Sequence, residues 1–134
     1  EWMAIRDEMA RLRTHSAATP HEVIAKGVSG AWLQFHLLEK GNWHEVHSQI
    51  CPRAAHVLRG LGHGHGGSVC ESRLGSVQFD ILGAGAVIRP QYGQSNVALR
   101  CHLPLVVPEN GSCGIRVHGE ERPWRTGEML LLDS

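Results

Sequence analysis

The sequence predicts a mainly β protein in which helices come first and short antiparallel strands follow. Glycine contributes 16 of the 134 residues, which is typical of a turn-rich β fold and unlike a helical bundle. Apolar and polar residues alternate in several short runs, and Gly, Asn and Pro recur between them. Helices followed by five or six short strands indicate helices packed against an antiparallel jelly-roll.

The length and charge of the chain limit the classes of function. A length of 134 residues suits one domain, so we expect a single domain with a helical region over 1–67 and jelly-roll strands over 68–134. The 13 Lys and Arg residues balance the 13 Asp and Glu residues. This balance gives no electrostatic reason to expect a nucleic acid as partner.

Several features leave the cellular compartment open. No run approaches the roughly 20 apolar residues of a membrane span. The first residue is Glu1 and the chain ends shortly after an apolar strand, so we expect a C-terminally truncated fragment of a longer chain. A membrane anchor is then possible only in a preceding segment. The cysteines show no zinc-type spacing and neither demand nor forbid disulfides; they are Cys51, Cys70, Cys101 and Cys113.

Three helices are predicted in the first half. The first is amphipathic: Trp2, Ile5, Met9 and Leu12 recur at helical spacing, with Arg6, Asp7, Glu8, Arg11 and Arg13 on the other face. A capping box at 19–22 predicts a second helix that stops at Gly27. Cys51-Pro52 begins a third helix, which ends at Gly60.

Strands are predicted over six short runs bounded by turn residues, and in 31–38, 77–81 and 97–107 the apolar residues recur at every second position. The runs are 31–38, 77–81, 87–88, 97–107, 114–118 and 128–132. A glycine-rich loop at 62–67 separates the third helix from most of them. His63 and His65 in this loop form an H-x-H pair that is able to chelate a metal. A glycine-rich loop provides no rigid ligand frame, which favours a linker.

The stretch from 87 to 108 combines turn, polar and strand-forming residues most densely. Pro90, Gly93 and the Gln94-Ser95-Asn96 run interrupt the strand that begins at Val87. After the interruption, Arg100 and His102 alternate with Leu99 and Cys101, so the two polar side chains share one strand face opposite an apolar face. On the residues alone they are either solvated side chains of an open sheet or a binding site.

The same stretch resembles a known family. The pattern is Pro90-x-x-Gly93-x-x-Asn96-x-x-Leu99-Arg100-x-His102-Leu103-x-Leu105-x-x-Pro108, followed by Gly114-Ile115-Arg116-Val117, Glu121-Arg122-x-Trp124-x-x-Gly127-Glu128-x-Leu130 and Asp133-Ser134. It is similar to the core motif of the aspartyl/asparaginyl β-hydroxylases. With Trp32–Gly41 and Cys51-Pro52, the resemblance covers about 32–134. It implies a double-stranded β-helix, the cupin-like form of the jelly-roll.

The resemblance also implies a reaction. The family members are Fe(II)- and 2-oxoglutarate-dependent dioxygenases that hydroxylate the β-carbon of Asp or Asn side chains. The implied partners are a protein or peptide substrate and the small-molecule cosubstrate. By motif position, Arg100 corresponds to the residue that binds a 2-oxoglutarate carboxylate, and His102 to a neighbouring cosubstrate contact. Such Arg–carboxylate pairs are strong and geometrically specific.

Two positions depart from the family pattern. Gln91 stands where the family has its first iron-ligand His. The second ligand His of the family corresponds to a position beyond Ser134. An amide oxygen is a poorer Fe(II) ligand than imidazole. Asp80 stands where the family often has a small hydroxyl residue near the cosubstrate, and a carboxylate there repels 2-oxoglutarate unless it is paired. Arg116, Arg122 and Trp124 are interpreted as sheet-face and core residues, and Asn96 as a loop residue rather than a ligand.

Three hypotheses follow. The first is an oxygenase with altered iron ligation. The second is a catalytically impaired pseudo-oxygenase that keeps the jelly-roll to bind a peptide or a small acid. The third is a structural or interaction module whose His-rich loop binds a divalent metal adventitiously. The resemblance favours the first, and Gln91 favours the second.

Overall fold

The computed structural model describes residues 2–15, 23–24, 28–29, 32–60, 73–88, 90, 99–109 and 113–133. These residues form an N-terminal helix and small antiparallel sheets, which confirms the prediction of a mainly β chain. No closed barrel is present within these ranges. The described chain falls into two compact units: Asp7–Arg89, called the N-terminal unit, and Glu1–Arg6 with Pro90–Ser134, called the C-terminal unit.

The elements within the described ranges follow one another along the chain. The helices are α1 (Trp2–His15), α2 (Glu45–Ile50) and α3 (Pro52–Gly60). The strands are β1 (Val23–Ile24), β2 (Val28–Ser29), β3 (Trp32–Glu39), β4 (Asn42–Trp43), β5 (Val77–Leu82), β6 (Val87–Ile88), β7 (Leu99–His102), β8 (Gly114–Val117), β9 (Glu120–Pro123) and β10 (Leu130–Asp133).

Strand β3 is the centre of the N-terminal unit. It pairs antiparallel with β1, β4 and β5. Phe35 lies opposite Phe79, and both side chains are buried, as the alternation over 31–38 predicts. A bulge between His36 and Leu38 shifts the register, and the consecutive residues Leu37 and Leu38 are both buried there. The bulge therefore interrupts the strict period of two.

The core of the N-terminal unit contains one buried charge. Glu8 of α1 is only 1% exposed, although the helical pattern predicts it on the charged face. Its carboxylate accepts hydrogen bonds from the backbone N–H groups of Arg53, at 2.7 Å, and Ala54, at 2.8 Å. These are orphan donors at the start of α3, because the first N–H groups of a helix have no intrahelical acceptor. Glu8 thus caps α3 from another helix.

One predicted helix is wrong. Residues 23 and 24, placed in a helix over 20–27, form strand β1 and pair with Gln34 and Leu33 of β3. Val23 and Ile24 are β-branched, and their fit on a sheet outweighs the capping signal upstream. The capping residues 19–22 lie outside the described residues. The helices α1 and α3 are confirmed, whereas α2 was not predicted.

The described residues of the C-terminal unit include the start of α1 and two two-stranded sheets. Strand β7 pairs with β10, and β8 pairs with β9, both antiparallel. The long extended run predicted over 97–107 is shorter in the structure, because the strand ends at His102 and the chain bends at 105–106. In the same unit, Trp2 packs on Gly127, whose φ is +79° and where a Cβ would lie 2.8 Å from the indole ring. Only glycine tolerates this turn and this close contact.

No helix in the described part of the chain has the length and apolarity that crossing a membrane requires.

Candidate functional site

Strand β7 carries the two polar residues that the sequence singles out. Arg100 lies opposite Leu132 of β10, and His102 lies opposite Leu130. Directly opposed residues of an antiparallel pair share a face, so these four side chains lie on one side of the sheet. Arg100 is exposed, His102 is half-buried and Leu132 is buried. The predicted shared face of Arg100 and His102 is therefore present.

The apolar face of the same sheet is open rather than buried. Leu99 is 67% exposed and Leu131 is 68% exposed, and Cys101 between them is exposed as well. Alternation in the sequence identifies two faces but does not say which one is covered. In this unit the better covered face is the one that carries Arg100 and His102.

An indole ring packs beside His102. The ring centroids of His102 and Trp124 are 6.0 Å apart, with the planes inclined at 46°. The backbone N–H of Trp124 donates to the carbonyl of Cys113 at 3.1 Å, which fixes the residue after β9. Its side-chain Nε1 is buried and has no hydrogen-bond partner among the described residues. Sequence reasoning placed Trp124 in the core and missed this donor, because a Trp in a strand pattern indicates burial and not the fate of its N–H.

Arg100 has no ion-pair partner among the residues that the structure describes. The other arginines predicted on sheet faces are paired: Arg116 bonds to Glu121, and Arg122 lies 3.3 Å from Glu120. The Arg116 guanidinium, through its hydrogen bond and its charge, lowers the pKa of Glu121. Among the described residues, Arg116 and Arg122 are thus paired within the β8–β9 hairpin, whereas Arg100 forms no ion pair.

Asp80 lies on β5 in the N-terminal unit, opposite Gln34 of β3. One carboxylate oxygen, Oδ1, accepts hydrogen bonds from the indole Nε1 of Trp32 at 3.2 Å and from the amide of Gln78 at 2.9 Å. Both donors are neutral, so they orient the carboxylate without cancelling its charge. None of the Lys or Arg side chains among the described residues makes an ion pair with Asp80.

The remaining candidate residues lie outside the described residues: Gln91, Gly93, Asn96, His63 and His65. Within the described ranges there is no group of three or more His, Cys, Asp or Glu side chains that could hold a metal ion. Cys51, Cys101 and Cys113 are free thiols. The structure thus brings Arg100 and His102 together on one strand, and it assigns no ligand set to a metal.

A histidine pair at the start of α2 was not predicted from the sequence. His44 is the N-cap of α2, and its Nδ1 accepts a hydrogen bond from the backbone N–H of His47 at 3.2 Å. The two rings stack at 3.7 Å. The Nδ1–H of buried His47 donates to the carbonyl of His36 at 2.7 Å. His44 also lines an open cleft of about 290 Å³ with Trp43 and the β3–β4 turn.

The described part of the C-terminal unit therefore has a guanidinium and an imidazole on one sheet face, and an indole ring packs beside the imidazole. Guanidinium, imidazole and indole N–H groups can all donate hydrogen bonds to an oxyanion. These groups belong to a mainly β chain with small antiparallel sheets.

Comparison with known proteins gives the family. The model of the family described as aspartyl/asparaginyl beta-hydroxylase matches residues 1–134. Aspartate beta-hydroxylase domain-containing protein 2 from Homo sapiens is 36% identical over 105 residues, which cover 78% of this chain and 27% of the relative. Aspartyl/asparaginyl beta-hydroxylase from Mus musculus is 31% identical over 134 residues, which cover 98% of this chain and 17% of the relative.

The chain belongs to the aspartyl/asparaginyl beta-hydroxylase family, as the sequence motif predicts. The family is named for a hydroxylase activity, which is an oxidoreductase type of reaction. The chain spans between 17% and 27% of the length of the two relatives described above.

Proposed function

We propose that this chain is part of an Fe(II)- and 2-oxoglutarate-dependent dioxygenase that hydroxylates the β-carbon of Asp or Asn side chains in a protein or peptide. Membership of the beta-hydroxylase family supports the reaction class. We also propose that the small antiparallel sheets belong to a cupin-like double-stranded β-helix, in line with the mainly β architecture.

The observation that carries the proposal is the environment of Arg100. Its guanidinium shares a sheet face with His102 and has no acidic partner within the described part of the chain. Its neighbours across the strand pair are Leu130 and Leu132, which cannot neutralise it. A guanidinium recognises a carboxylate through two parallel hydrogen bonds. In this proposal Arg100 binds one carboxylate of 2-oxoglutarate, and His102 orients the cosubstrate beside it.

A bound Fe(II) would supply oxygen activation for the hydroxylation, with 2-oxoglutarate as the reductant. Gln91, at the family's ligand position, lies outside the described residues, and the described residues supply no cluster of three metal ligands. Among the described residues, the groups proposed to act are Arg100 and His102, which bind and orient an anion.

A second candidate function is a pseudo-oxygenase that binds a peptide or a small acid without turnover. Two observations favour it. Gln91 replaces an imidazole ligand by a weakly ligating amide. Asp80, proposed to lie near the cosubstrate, is held only by the neutral donors Trp32 and Gln78 among the described residues. An uncompensated carboxylate disfavours a dicarboxylate ligand by like-charge repulsion.

The deciding experiment is Fe(II)-dependent conversion of 2-oxoglutarate to succinate by the full-length protein. We expect turnover in the natural protein, and a loss of about tenfold or more in the kcat/KM for 2-oxoglutarate in Arg100→Ala, because a charge-assisted pair is removed. Arg122→Ala is the matched control, since Arg122 is exposed and paired with Glu120; it should leave kcat/KM unchanged.

The variant Gln91→His separates the two candidates. Turnover only in Gln91→His would identify a pseudo-oxygenase with an intact cosubstrate pocket. Absence of turnover in both proteins, together with no binding of 2-oxoglutarate, would contradict the roles proposed for Arg100 and His102.

A further inference from the structure

The indole N–H of Trp124 is the least explained polar group in the C-terminal unit. It is buried and has no hydrogen-bond acceptor among the described residues. Buried donors in native proteins almost always have a partner, because a buried N–H without one loses its hydration without compensation. The acceptor of the Trp124 N–H is then a group outside the described residues, a water molecule or a ligand.

The surroundings of Trp124 favour a ligand. Its ring lies 6.0 Å from that of His102, and His102 shares its sheet face with Arg100. The Trp124 ring thus lies near a strand face that carries the guanidinium of Arg100. The backbone bond from Trp124 to Cys113 holds the residue in place, and a rigid donor loses little entropy when it forms a hydrogen bond.

We propose that the Nε1–H of Trp124 donates a hydrogen bond to a carboxylate bound by Arg100 and His102. This inference rests on the proposed function, in which that carboxylate belongs to 2-oxoglutarate. An indole N–H is a donor and never an acceptor, so it selects a ligand oxygen over a ligand N–H. A carboxylate offers about four acceptor positions, and a bidentate Arg uses two of them. Trp124 is thus a binding residue of the site, in addition to a packing residue.

The direct test is the indole N–H resonance of Trp124 in a ¹H–¹⁵N spectrum of the full-length protein, assigned by through-bond correlation experiments on the natural protein. Titration with 2-oxoglutarate should shift this resonance downfield. The indole of Trp43 is an internal reference, because its ring packs against Arg59 in the N-terminal unit. A second titration with succinate asks whether any dicarboxylate is sufficient.

Calorimetry with the variants gives a second measurement. Trp124→Phe removes the N–H and keeps an aromatic ring, so we expect 2-oxoglutarate to bind about tenfold more weakly, which corresponds to ~1.4 kcal/mol. Trp43→Phe is the matched control, because the Trp43 ring packs under Arg59 in the N-terminal unit and should leave affinity unchanged. The spectral test on the natural protein stands even where Trp124→Phe folds poorly.

The outcomes separate this inference from the proposed function. Binding of 2-oxoglutarate without movement of the Trp124 resonance would overturn the inference and leave the function standing. A shift with succinate but not with 2-oxoglutarate would support the Trp124 contact and remove 2-oxoglutarate as the ligand. No shift with either acid at millimolar concentration would overturn the inference, with water as the partner of the indole.

Discussion

The two units of the molecule differ in how much apolar side chain they bury. The buried apolar residues of the N-terminal unit are Met9, Leu12, Phe35, Leu37, Leu38, Cys51, Ala54, Ala55 and Phe79. Among the described residues of the C-terminal unit, Leu132 is the one buried apolar side chain. Two-stranded sheets on their own are marginally stable in water. The C-terminal unit nevertheless carries Arg100, His102 and Trp124.

Together with the proposed function, this difference predicts that stability and ligand affinity depend on different parts of the chain. Binding residues are commonly placed on elements with few buried contacts, since ligand recognition needs access. Substitutions in the N-terminal unit should therefore change the free energy of unfolding, and those on β7 should change ligand affinity. The following predictions test that separation.

The largest expected effect is at the centre of the core. Phe35 is 1% exposed, lies opposite Phe79 and contacts the edge of His47. Phe35→Ala should lower the free energy of unfolding by about 3–5 kcal/mol, because it removes buried apolar area and leaves a cavity. Leu131→Ala, at a residue 68% exposed, should change it by less than about 0.5 kcal/mol. Urea unfolding followed by tryptophan fluorescence measures both, and equal losses would contradict the comparison.

The second effect concerns the buried carboxylate. Glu8→Ala should lower the free energy of unfolding by about 2–3 kcal/mol, because the N–H groups of Arg53 and Ala54 lose a charged acceptor. Glu8→Gln keeps one acceptor oxygen and should cost less. Hydrogen exchange at the two amides provides the local measurement, and both should exchange faster in Glu8→Ala. Unchanged exchange there would mean that α3 begins without help from α1.

The third effect is the loss of the imidazole cap of α2. His44→Ala should destabilise the protein by about 1 kcal/mol, since the N–H of His47 loses its acceptor. His44→Asn is the matched variant, because an Asn side-chain oxygen is a favoured N-cap. Thermal unfolding of the three proteins should place His44→Asn closer to the natural protein than to His44→Ala. The reverse order would show that stacking on His47, at 3.7 Å, contributes more than the cap.

The smallest expected effect on stability at neutral pH comes from ionisation of the cysteine thiols. Burial, reinforced by the charge of Glu8, raises the pKa of Cys51 from 9.0 to about 12. A raised pKa means that the folded state holds the proton more tightly, so stability is unaffected below pH 9 and falls as the pH rises from about 9 towards 12. Cys51→Ala should weaken that fall.

Alkylation provides the matching measurement at pH 8. Cys101 is exposed, although partial desolvation raises its pKa, whereas Cys51 is buried. A thiol-specific reagent should therefore modify Cys101 first and leave Cys51 intact until the protein unfolds. Early modification of Cys51 would show that the N-terminal unit opens readily.

Part of the fold could be predicted because local patterns and burial agree. Strand β3 and helices α1 and α3 follow from periodicity and from Pro52 at the first helical position. The pattern fails where a tertiary contact overrides it. Val23 and Ile24 join a sheet because β3 is available to pair with them, and Glu8 is buried because α3 offers two amide donors. Neither partner is visible in the local sequence.

The candidate site shows the same limit. The alternation over 99–102 predicts that Arg100 and His102 share a face, and the structure confirms it. It cannot predict that the opposite, apolar face is the exposed one, since coverage depends on distant chain segments. The unpartnered N–H of Trp124 likewise follows from three-dimensional packing and not from spacing. The roles of Asp80 and Gln91 in binding remain predictions.

The carboxylate of Glu8 also constrains the order of folding. It bonds to residues 45 and 46 positions away along the chain, so each bond closes a long loop, and long-range closure follows local pairing. The tight turn between β3 and β4 can form within microseconds, well before α1 meets α3. Interactions that form after the transition state act mainly on the unfolding rate. The Glu8 hydrogen bonds should therefore form after the folding transition state. They should slow the unfolding of the N-terminal unit and leave its folding rate almost unchanged.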